Sequence, residues 1–365
     1  MITVQVSVEP RPYAAQIENG LLGRAGELLR ELLPTASRLF VITVAPVRRK
    51  WGKKLMGSLS AAGFEAKTLE MPQGEGSKRL ATVEALAEKL TSLGADRNAV
   101  VVAFGGGIAG DVGGLLASLY MRGIELVQIP TTVLAQVDAS VGGKTGVNLK
   151  AGKNLVGTFH QPRVVLIDPQ VLASLPEREY RAGLYEALKC GVIGNPELFR
   201  EFEENRERIL KRDPATVERL IAESVRLKAH VVSVDEKENG LRRVLNFGHT
   251  IGHALEAETG YRMLLHGEAV AWGMVAAARI AASIGKLDEN DAGRIRNATR
   301  DLGPLPKLEV RGRRIVRRLQ SDKKTRNGKV HFVLPKEIGK VEVVDDVPEK
   351  VVLAAVDEIR ELSQG

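Results

Sequence analysis

The sequence predicts two domains: an α/β N-terminal domain built on a Rossmann-like parallel sheet, and a mainly α-helical C-terminal domain that binds a metal. Three observations support this prediction. The 365 residues exceed the usual size of a single hydrophobic core. The first half alternates short apolar runs with amphipathic segments, whereas the second half has long amphipathic segments and a histidine cluster. We place the boundary between Asp168 and Leu175, which gives domains of residues 1–170 and 171–365.

The first half of the chain predicts a parallel sheet with helices on its faces. The run AVVVAFGGG from Ala99 is apolar throughout and ends in glycines, as expected for a central strand that enters a ligand loop. Ligands bind beyond the carboxyl ends of such strands, so we expect a nucleotide in this half. The other predicted elements are the strands RLFVITVA, FEAKTLEM and IELVQIP, and helices from Arg48 to Ala62 and from Arg79 to Leu93.

The two ends of the chain and the second half add further elements. The start, MITVQVSVEPRPY, alternates like an edge strand and lacks the basic and apolar regions of a signal peptide, so we expect a cytoplasmic enzyme. Near the other end, KVHFVLPKEIGKVEVV predicts a small hairpin with Gly339 in its turn. The second half otherwise predicts helices over Pro196 to Leu210, Pro214 to Val234, and Glu268 to Ile284.

Composition excludes several classes of protein. No stretch approaches the roughly 18 uninterrupted apolar residues of a membrane span, so we expect no membrane partner. Cys190 is the only cysteine, which excludes an intrachain disulfide and any metal site with several cysteines. A metal in this protein must therefore be held mainly by histidine and carboxylate.

The net charge of +8 is concentrated in one segment. From Arg311 to Lys329 the chain has nine Lys or Arg and one Asp, so the rest of the chain is formally neutral. The first interpretation of this segment is a solvated basic helix face, the second is an anion-binding patch for a phosphorylated or carboxylated substrate, and the last is a nucleic-acid surface. The chain has no aromatic-interleaved or helix-turn-helix signature, so we expect no nucleic-acid partner.

Two stretches of the first half have the composition of a phosphate site. GGGIAGDV follows the apolar strand and opens a small-residue helix, so its backbone N–H groups can approach a pyrophosphate, with Asp111 as a hydroxyl partner. This is not the GxGxxG fingerprint, and a glycine turn that serves only packing is the alternative. The second stretch, PTTVLAQVDASVGGKTGVNLKAGKNLVG, predicts a polar loop whose lysines pair with phosphate or are merely solvated; its polar residues are Thr131, Thr132, Asp138, Lys144, Lys153 and Asn154.

A histidine cluster lies in the second half, in the stretch NFGHTIGHALEAETGYRMLLHGE. His249 and His253 are four residues apart, so on a helix they share a face. His266 follows a break at Thr259 and Gly260 that lets the chain turn back toward them. Neutral imidazole is a common zinc ligand, and a catalytic zinc needs three protein ligands and one open position. The alternative is a capped helix with partly buried histidines.

Six motifs, taken in order, resemble the 3-dehydroquinate synthase family of the shikimate pathway over roughly residues 70–340. They are GGGIAGD, YMRGIELVQIPTTVLAQVDASVGGKTGVN, GKNLVG, REYRAGLYEALK, LRRVLNFGHTIGH and LHGEAVAWGM. The resemblance implies one divalent metal, zinc or cobalt, held by Glu186, His249 and His266. It makes His253 a partner of the substrate rather than a metal ligand.

The resemblance also implies the reaction and its residues. Members convert 3-deoxy-D-arabino-heptulosonate 7-phosphate into 3-dehydroquinate and phosphate through transient oxidation by NAD, phosphate elimination, reduction, ring opening and an intramolecular aldol closure. The positions that match substrate-binding or catalytic residues are Arg122, Lys144, Lys153, Asn154, Lys189, Lys228, Arg242, Asn246, His253 and Lys323, with Lys324 beside it. Those that match NAD-binding residues are Glu75, Lys78, Gly105, Gly106, Gly107, Asp111, Thr131, Thr132 and Asp138, together with Lys144 and Lys153.

Some features leave other functions open. Related sugar phosphate cyclases act on sedoheptulose 7-phosphate or glucose 6-phosphate, but retention of Lys228, Arg242 and Asn246 favours a carboxylated substrate. A metal-dependent polyol dehydrogenase is a more distant alternative, and the lysines around Gly143 to Asn154 argue against a small uncharged alcohol. Val44 stands where many relatives carry Asp or Asn, which weakens the expected preference for NAD over NADP. The resemblance further implies a homodimer.

Overall fold

The structure is a computed structural model that describes residues 1–36, 38–325, 330–345 and 347–364, with only the backbone for residues 320–325. The chain divides into two compact units, the first made of Met1–Pro176 and Val217–Ser233 and the second of Glu177–Thr216 and Val234–Gly365. The first division follows Pro176, next to the expected boundary. The expectation that all of residues 171–365 form the second domain is corrected for Val217–Ser233, which pack in the first unit.

Unit 1 is built on a seven-stranded sheet in the order β1-β2-β9-β6-β5-β3-β4. Only the β1–β2 pair is antiparallel, and β1 lies at the edge, as the alternation at the start of the chain predicts. The strands of unit 1 are β1 Ile2–Val6, β2 Tyr13–Ile17, β3 Arg38–Thr43, β4 Glu65–Glu70, β5 Val100–Gly105, β6 Glu125–Pro130, β7 Lys144–Leu149, β8 Gly152–Phe159 and β9 Val164–Ile167.

The central strand β5 is buried on both sides, which shows that both faces of this sheet are covered. Val100, Val102 and Phe104 point into one apolar core, whereas Val101 and Ala103 point into the other. This explains the unbroken apolar run from Ala99 and confirms the predicted α/β class. The helices of unit 1 are α1 Ala25–Leu32, α2 Ala45–Val47, α3 Lys53–Ala61, α4 Leu80–Ser92 and α5 Gly107–Leu119, with a π-helical turn Arg48–Gly52 joining α2 to α3.

The polar stretch after β6 contains more regular structure than the sequence predicts. A π-helical turn at Ala135–Ala139 is followed by the hairpin of β7 and β8, which pair antiparallel. The prediction of a loop was wrong here, because glycines and lysines hide the alternation of the two strands. Gly157 shows why a glycine is needed in the pair: a Cβ at this position would lie 2.0 Å from the carbonyl oxygen of Thr145.

Unit 2 is mainly helical, as predicted. Its helices are α6 Glu177–Gly194, α7 Pro196–Glu204, α8 Arg206–Leu210, α10 His249–Glu258, α11 His266–Ser283, α12 Glu289–Asp301, α13 Gly312–Thr325 and α14 Glu349–Leu362, and α9 Pro214–Val234 has most of its length in unit 1. The single helix predicted from Pro196 to Leu210 is two helices that meet at Asn205. In α11, 14 of the 18 residues are buried, so α11 is the central helix of this unit.

The hairpin predicted near the end of the chain is present in unit 2. Strands β10 His331–Glu337 and β11 Lys340–Asp345 pair antiparallel, and Gly339 has a φ of 99° in their turn. Among the described residues, no helix is both long enough and apolar enough to span a lipid bilayer.

Candidate active site

In unit 2, a buried carboxylate and three histidines come together from three helices. Glu186 lies in the middle of α6, His249 begins α10 and His266 begins α11. The Oε1 atom of Glu186 lies 3.4 Å from Nε2 of His266 and 3.8 Å from Nε2 of His249. These are the three side chains that the family resemblance assigns to a metal, and the fold brings their donor atoms to one point.

His253 lies beside the same point, one turn along α10 from His249. One ligand atom from each of the three histidines lies within 4.8 Å of the others, so the geometry also permits a set of three histidines. The ring centroid of His253 is 5.2 Å from that of His249 and 5.8 Å from that of His266. His253 is exposed and Glu186 is fully buried, which fits a side chain that faces substrate and a ligand fixed by the protein core.

Close helix packing creates this convergence. A Cβ at Gly267, the second residue of α11, would lie 1.8 Å from the carbonyl oxygen of Ala182 on α6. A Cβ at Gly273 would lie 1.9 Å from the carbonyl oxygen of Gly248, just before α10. Glycine therefore lets α11 touch the backbone of the two segments that carry the other candidate ligands.

The start of α11 is also fixed by charge. Glu268 accepts a hydrogen bond from the backbone N–H of Leu265 at 2.8 Å, which caps the helix that His266 begins. Arg178, on α6, donates to both oxygens of Glu268 at 2.6 and 2.8 Å and to the carbonyl of Met263 at 2.9 Å. The sequence did not predict this pair, and the glutamate two residues after His266 was its only signal.

The pKa values of Glu186, His249 and His266 show that this cluster attracts positive charge. Burial would raise the pKa of the Glu186 carboxyl, but Lys189 and the two histidines hold that pKa well below its usual range. Burial, with the charge of Lys189, lowers the pKa of His249 to about 3, so His249 is neutral. Burial would also lower the pKa of His266, but hydrogen bonds to Glu186 and Glu256 raise it to about 10. The carboxylates thus hold a positive charge at His266, and a divalent cation at its Nε2 would replace that proton.

Three predicted substrate-binding residues of unit 2 lie on α6 and on the segment that precedes α10. Lys189 is 2% exposed, and its Nζ lies 2.5 Å from Oε2 of Glu186. Arg242 is also buried and donates to the carbonyl of Glu236, and Asn246 donates to Oε1 of Glu238 at 2.6 Å. Both therefore hold the segment that precedes α10. The side chains of Lys323 and Lys324 lie outside the described residues.

Unit 1 places the glycine loop at the carboxyl edge of its sheet. Gly105 ends β5, Gly106 caps α5 and Gly107 is its first residue, so the free N–H groups of α5 open at this edge. Thr132 packs against Gly106, where a Cβ would lie 3.0 Å from its methyl group. The hydroxyl of Thr131 is buried and has no hydrogen-bond partner among the described residues. This is the arrangement that binds a pyrophosphate in other α/β proteins.

A polar network in unit 1 joins the other predicted nucleotide residues. The Nζ of Lys78 lies 2.5 Å from Oδ2 of Asp111 and donates to Oδ1 of Asn154 at 2.5 Å. Asn148, which the sequence did not predict as a site residue, donates to Glu75 at 2.7 Å and accepts from the backbone N–H of Asn154 at 2.9 Å. Burial raises the pKa of Asp111 in spite of Lys78. Asp111, predicted to be a hydroxyl partner, is thus held by Lys78.

Two further predicted residues of unit 1 pair with each other. Lys228, on α9, donates to the carbonyl and to Oδ1 of Asp138, both at 2.6 Å. Lys228, predicted to bind substrate, and Asp138, predicted to bind the nucleotide, therefore form an ion pair with each other. Lys153 lies 3.9 Å from Glu75, and Lys144 is exposed at the start of β7.

Arg122 lies away from the glycine loop. It follows α5, whose 13 residues extend about 20 Å from Gly107. Met121 and Arg122 both have positive φ, 49° and 71°, which is uncommon for two successive residues other than glycine. The length of α5 therefore separates Arg122 from the other nucleotide and substrate candidates at the carboxyl edge of the sheet.

The basic segment has partners in unit 2. Arg314 and Arg318, on α13, donate to the two oxygens of Glu258 at 2.9 and 2.7 Å. Glu258 is the last residue of α10, so these two arginines join α13 to the helix that carries His249 and His253. Two of the five arginines from Arg311 to Arg318 thus have a structural role that the sequence did not predict.

Solved structures that this chain resembles include sugar phosphate cyclases and more distant dehydrogenases. The chain matches the 2-epi-5-epi-valiolone synthase of Streptomyces hygroscopicus subsp. jinggangensis, solved with NAD+ and Zn2+, at 32% identity and a TM-score of 0.89 over 98% of this chain and 99% of that one. A 2-deoxy-scyllo-inosose synthase with carbaglucose-6-phosphate, NAD+ and Co2+ matches at 28% identity and a TM-score of 0.84, over 99% of each chain. An iron-containing alcohol dehydrogenase, at 14% identity and a TM-score of 0.69 over 99% of each chain, shares the fold alone. The fold and the 32% identity over 98% of this chain thus define the class of the sugar phosphate cyclases.

Comparison of the sequence gives the family within this class. The 3-dehydroquinate synthase N-terminal model matches residues 68–182, and the C-terminal model matches residues 183–325. The 3-dehydroquinate synthase of Koribacter versatilis is 55% identical over 100% of this chain and 99% of its own length. That of Solibacter usitatus is 52% identical over 96% of this chain and 97% of its own length. The chain belongs to the 3-dehydroquinate synthase family, which confirms the resemblance found in the sequence.

Proposed function

We propose that this protein converts 3-deoxy-D-arabino-heptulosonate 7-phosphate into 3-dehydroquinate and phosphate, using NAD and one divalent metal, zinc or cobalt. The observation that carries the proposal is the convergence of buried Glu186 with His249 and His266. A set of two histidines and one carboxylate is a known catalytic zinc site with one position open to substrate. Full-length identity of 55% to a 3-dehydroquinate synthase supports the same reaction.

Glu186, His249 and His266 would hold the metal. The donor set fits, because the first is ionised, the second is neutral and the third exchanges a proton for a metal ion. When bound, the metal would supply a Lewis acid for a substrate hydroxyl, and NAD would supply the acceptor and donor of the hydride. Lys189 lies against Glu186, so it supplies a second positive charge beside the same substrate oxygens.

The glycine loop of unit 1 would bind the pyrophosphate of NAD. The N–H groups at the start of α5 and the unpartnered hydroxyl of Thr131 are the donors that face it. Glu75 and Asp111, each already oriented by hydrogen bonds, would accept from ribose hydroxyls. Their orientation before the cofactor arrives reduces the entropy that binding costs.

The polyanionic substrate would be held mainly by cations. Lys189 and Arg242 of unit 2 are buried and already oriented by Glu186 and the carbonyl of Glu236. Arg242 offers the planar fork that pairs best with a carboxylate, and Asn246 adds a neutral donor. Their excess of positive charge suits a substrate that has both a carboxylate and a phosphate. His253 lies exposed beside the proposed ligands, where it can exchange a proton with a substrate hydroxyl.

A second candidate is the cyclisation of a sugar phosphate without a carboxylate. A TM-score of 0.89 to a 2-epi-5-epi-valiolone synthase favours it. Identity of 32% to that protein, against 55% to a 3-dehydroquinate synthase, favours the carboxylated substrate instead.

The test is phosphate release from the heptulosonate 7-phosphate by the metal-loaded protein with catalytic NAD. We expect release that depends on both metal and NAD, 3-dehydroquinate as the product, and no net NADH. Glu186→Gln should reduce the rate by at least about a hundredfold, because it removes a charged metal ligand. Glu197→Gln, on α7 of the same unit with its side chain 76% exposed, is the control and should retain the full rate. Net NADH would indicate a dehydrogenase and overturn the proposal.

We also propose that the protein acts in the cytoplasm as a homodimer. The absence of a membrane-spanning helix among the described residues is compatible with this location. Light scattering of the purified protein should give about twice the chain mass of 39.6 kDa. Cell fractionation with activity in the membrane pellet, or a monomeric mass at working concentration, would overturn the corresponding half of this proposal.

A further inference from the structure

A buried carboxylate that the proposed mechanism does not use lies behind His266. Glu256, on α10, is 2% exposed, and its Oε2 lies 3.2 Å from Nδ1 of His266. It is seven residues after His249, two helical turns along the same face of α10. Burial of a carboxylate costs free energy unless the carboxylate is paired, and the contact with His266 offsets that cost.

The contact decides which nitrogen of His266 is free. A carboxylate accepts a hydrogen bond but cannot donate one, so Nδ1 must carry the proton that faces Glu256. The neutral ring then has its lone pair on Nε2, and this is the atom that lies 3.4 Å from Glu186. In the other tautomer, the lone pair of Nδ1 would face the negative charge of Glu256, which is unfavourable.

His249 is oriented by a different acceptor. Its Nδ1 lies 3.1 Å from the carbonyl oxygen of Phe247, and its Nε2 faces Glu186. Both histidines therefore present Nε2 to the same point and direct Nδ1 away from it. A backbone carbonyl cannot be removed by substitution, whereas the acceptor of His266 is a side chain and can be tested.

We propose that Glu256 is a positioning residue that fixes the ring and tautomer of His266, so that Nε2 is presented to the metal. This inference rests on the proposed metal site. A carboxylate behind a metal-bound histidine also makes the imidazole a better donor, and removal of such a partner typically costs about 10- to 100-fold in metal affinity. Glu256 then contributes to metal binding without contacting the metal.

The test compares two substitutions of Glu256 by the zinc Kd of the purified full-length chain, measured in competition with a chromophoric chelator. Glu256→Met keeps the size of the side chain and removes the acceptor, so we expect the Kd to rise about 10- to 100-fold. Glu256→Gln keeps a neutral acceptor for Nδ1–H and should recover part of that loss. The visible spectrum of the Co2+-loaded protein should shift in Glu256→Met and lie closer to wild type in Glu256→Gln.

Glu258→Gln is the matched control, since Glu258 lies on the same helix and its oxygens contact only exposed arginines among the pairs described above. We expect it to lower stability but to leave the zinc Kd within about twofold of wild type. Equal zinc affinity in wild type and Glu256→Met would overturn the positioning role. An equal loss in Glu258→Gln would overturn it too, because the effect would then belong to α10 as a whole. A wild-type chain that binds no zinc would instead overturn the proposed metal site itself.

Discussion

Gly267 lies where α11 and α6 pack most closely, so a substitution there should disturb the proposed metal site. In Gly267→Ala, the new Cβ would lie 1.8 Å from the carbonyl oxygen of Ala182, and real Cβ atoms essentially never come closer than 3.0 Å. Both groups belong to the backbone, so no side chain can turn away to relieve the clash. The start of α11 and the middle of α6 must therefore move apart by about 1.2 Å, which is the difference between the 3.0 Å limit and the 1.8 Å contact.

That movement is large on the scale of a metal site. Ligand distances in a zinc site hold to within about 0.2 Å, and Glu186 and His266 lie on the two helices that separate. We therefore expect the zinc Kd to rise at least about tenfold. Overpacking costs about 1–3 kcal/mol, which corresponds to a decrease in melting temperature of about 2–12 °C for a unit of this size.

The assay is calorimetric melting with and without zinc, together with chelator competition for the Kd. Gly293→Ala is the matched control: it lies in α12 of the same unit, and its nearest neighbour would be 3.8 Å from the new Cβ. We expect this control to gain about 1 kcal/mol of stability from helix propensity and to bind zinc like wild type. If Gly267→Ala keeps both the wild-type melting temperature and the wild-type Kd, the packing argument is wrong.

Three further predictions concern charge. A hydrogen bond from Arg318, with a second from Arg314, holds the pKa of Glu258 below its usual range, so this pair stabilises the fold above about pH 4.5 and the stabilisation disappears as the pH falls through the lowered pKa. Glu258→Gln should therefore lower the free energy of unfolding by about 0.5–1 kcal/mol at pH 7, a small effect because both arginines are exposed. Near pH 2 the substitution should have no effect in denaturant titrations. The same difference in stability at both pH values would contradict this prediction. Arg242→Ala should raise KM for the heptulosonate 7-phosphate at least about tenfold and leave the Kd of NAD unchanged, and an equal effect on both would refute its assignment to the substrate. Val44, half-buried before α2, offers no carboxylate to the ribose of the cofactor, so NADP should bind within about tenfold of NAD in a titration, and strict rejection of NADP would dispose of this idea.

Local signals in the sequence were sufficient for the main features of the fold. The apolar run from Ala99 predicts β5 because burial on both faces leaves no room for polar alternation, and the glycines after it predict the edge where ligands bind. The helix α9 and the β10–β11 hairpin also follow from period and turn signals alone. The signals for these elements lie within a few neighbouring residues of the sequence.

The features that the sequence did not predict depend on distant contacts. The β7–β8 hairpin requires Gly157 to meet Thr145, and the assignment of Val217–Ser233 to unit 1 depends on packing rather than on helical period. Glu256 behind His266, Arg178 on Glu268, and the two arginines on Glu258 join residues that are 10 to 90 positions apart. Six motifs identified the proposed ligands, but only the packing of α6, α10 and α11 shows what orients them.

The most direct test of the proposed function offers the metal-loaded protein two substrates in parallel with catalytic NAD, the heptulosonate 7-phosphate and sedoheptulose 7-phosphate. We predict phosphate release only from the heptulosonate, because the planar guanidinium of buried Arg242 suits the carboxylate of this substrate, which sedoheptulose 7-phosphate lacks. Release only from sedoheptulose 7-phosphate would keep the metal and NAD assignments but contradict the substrate and the role given to Arg242.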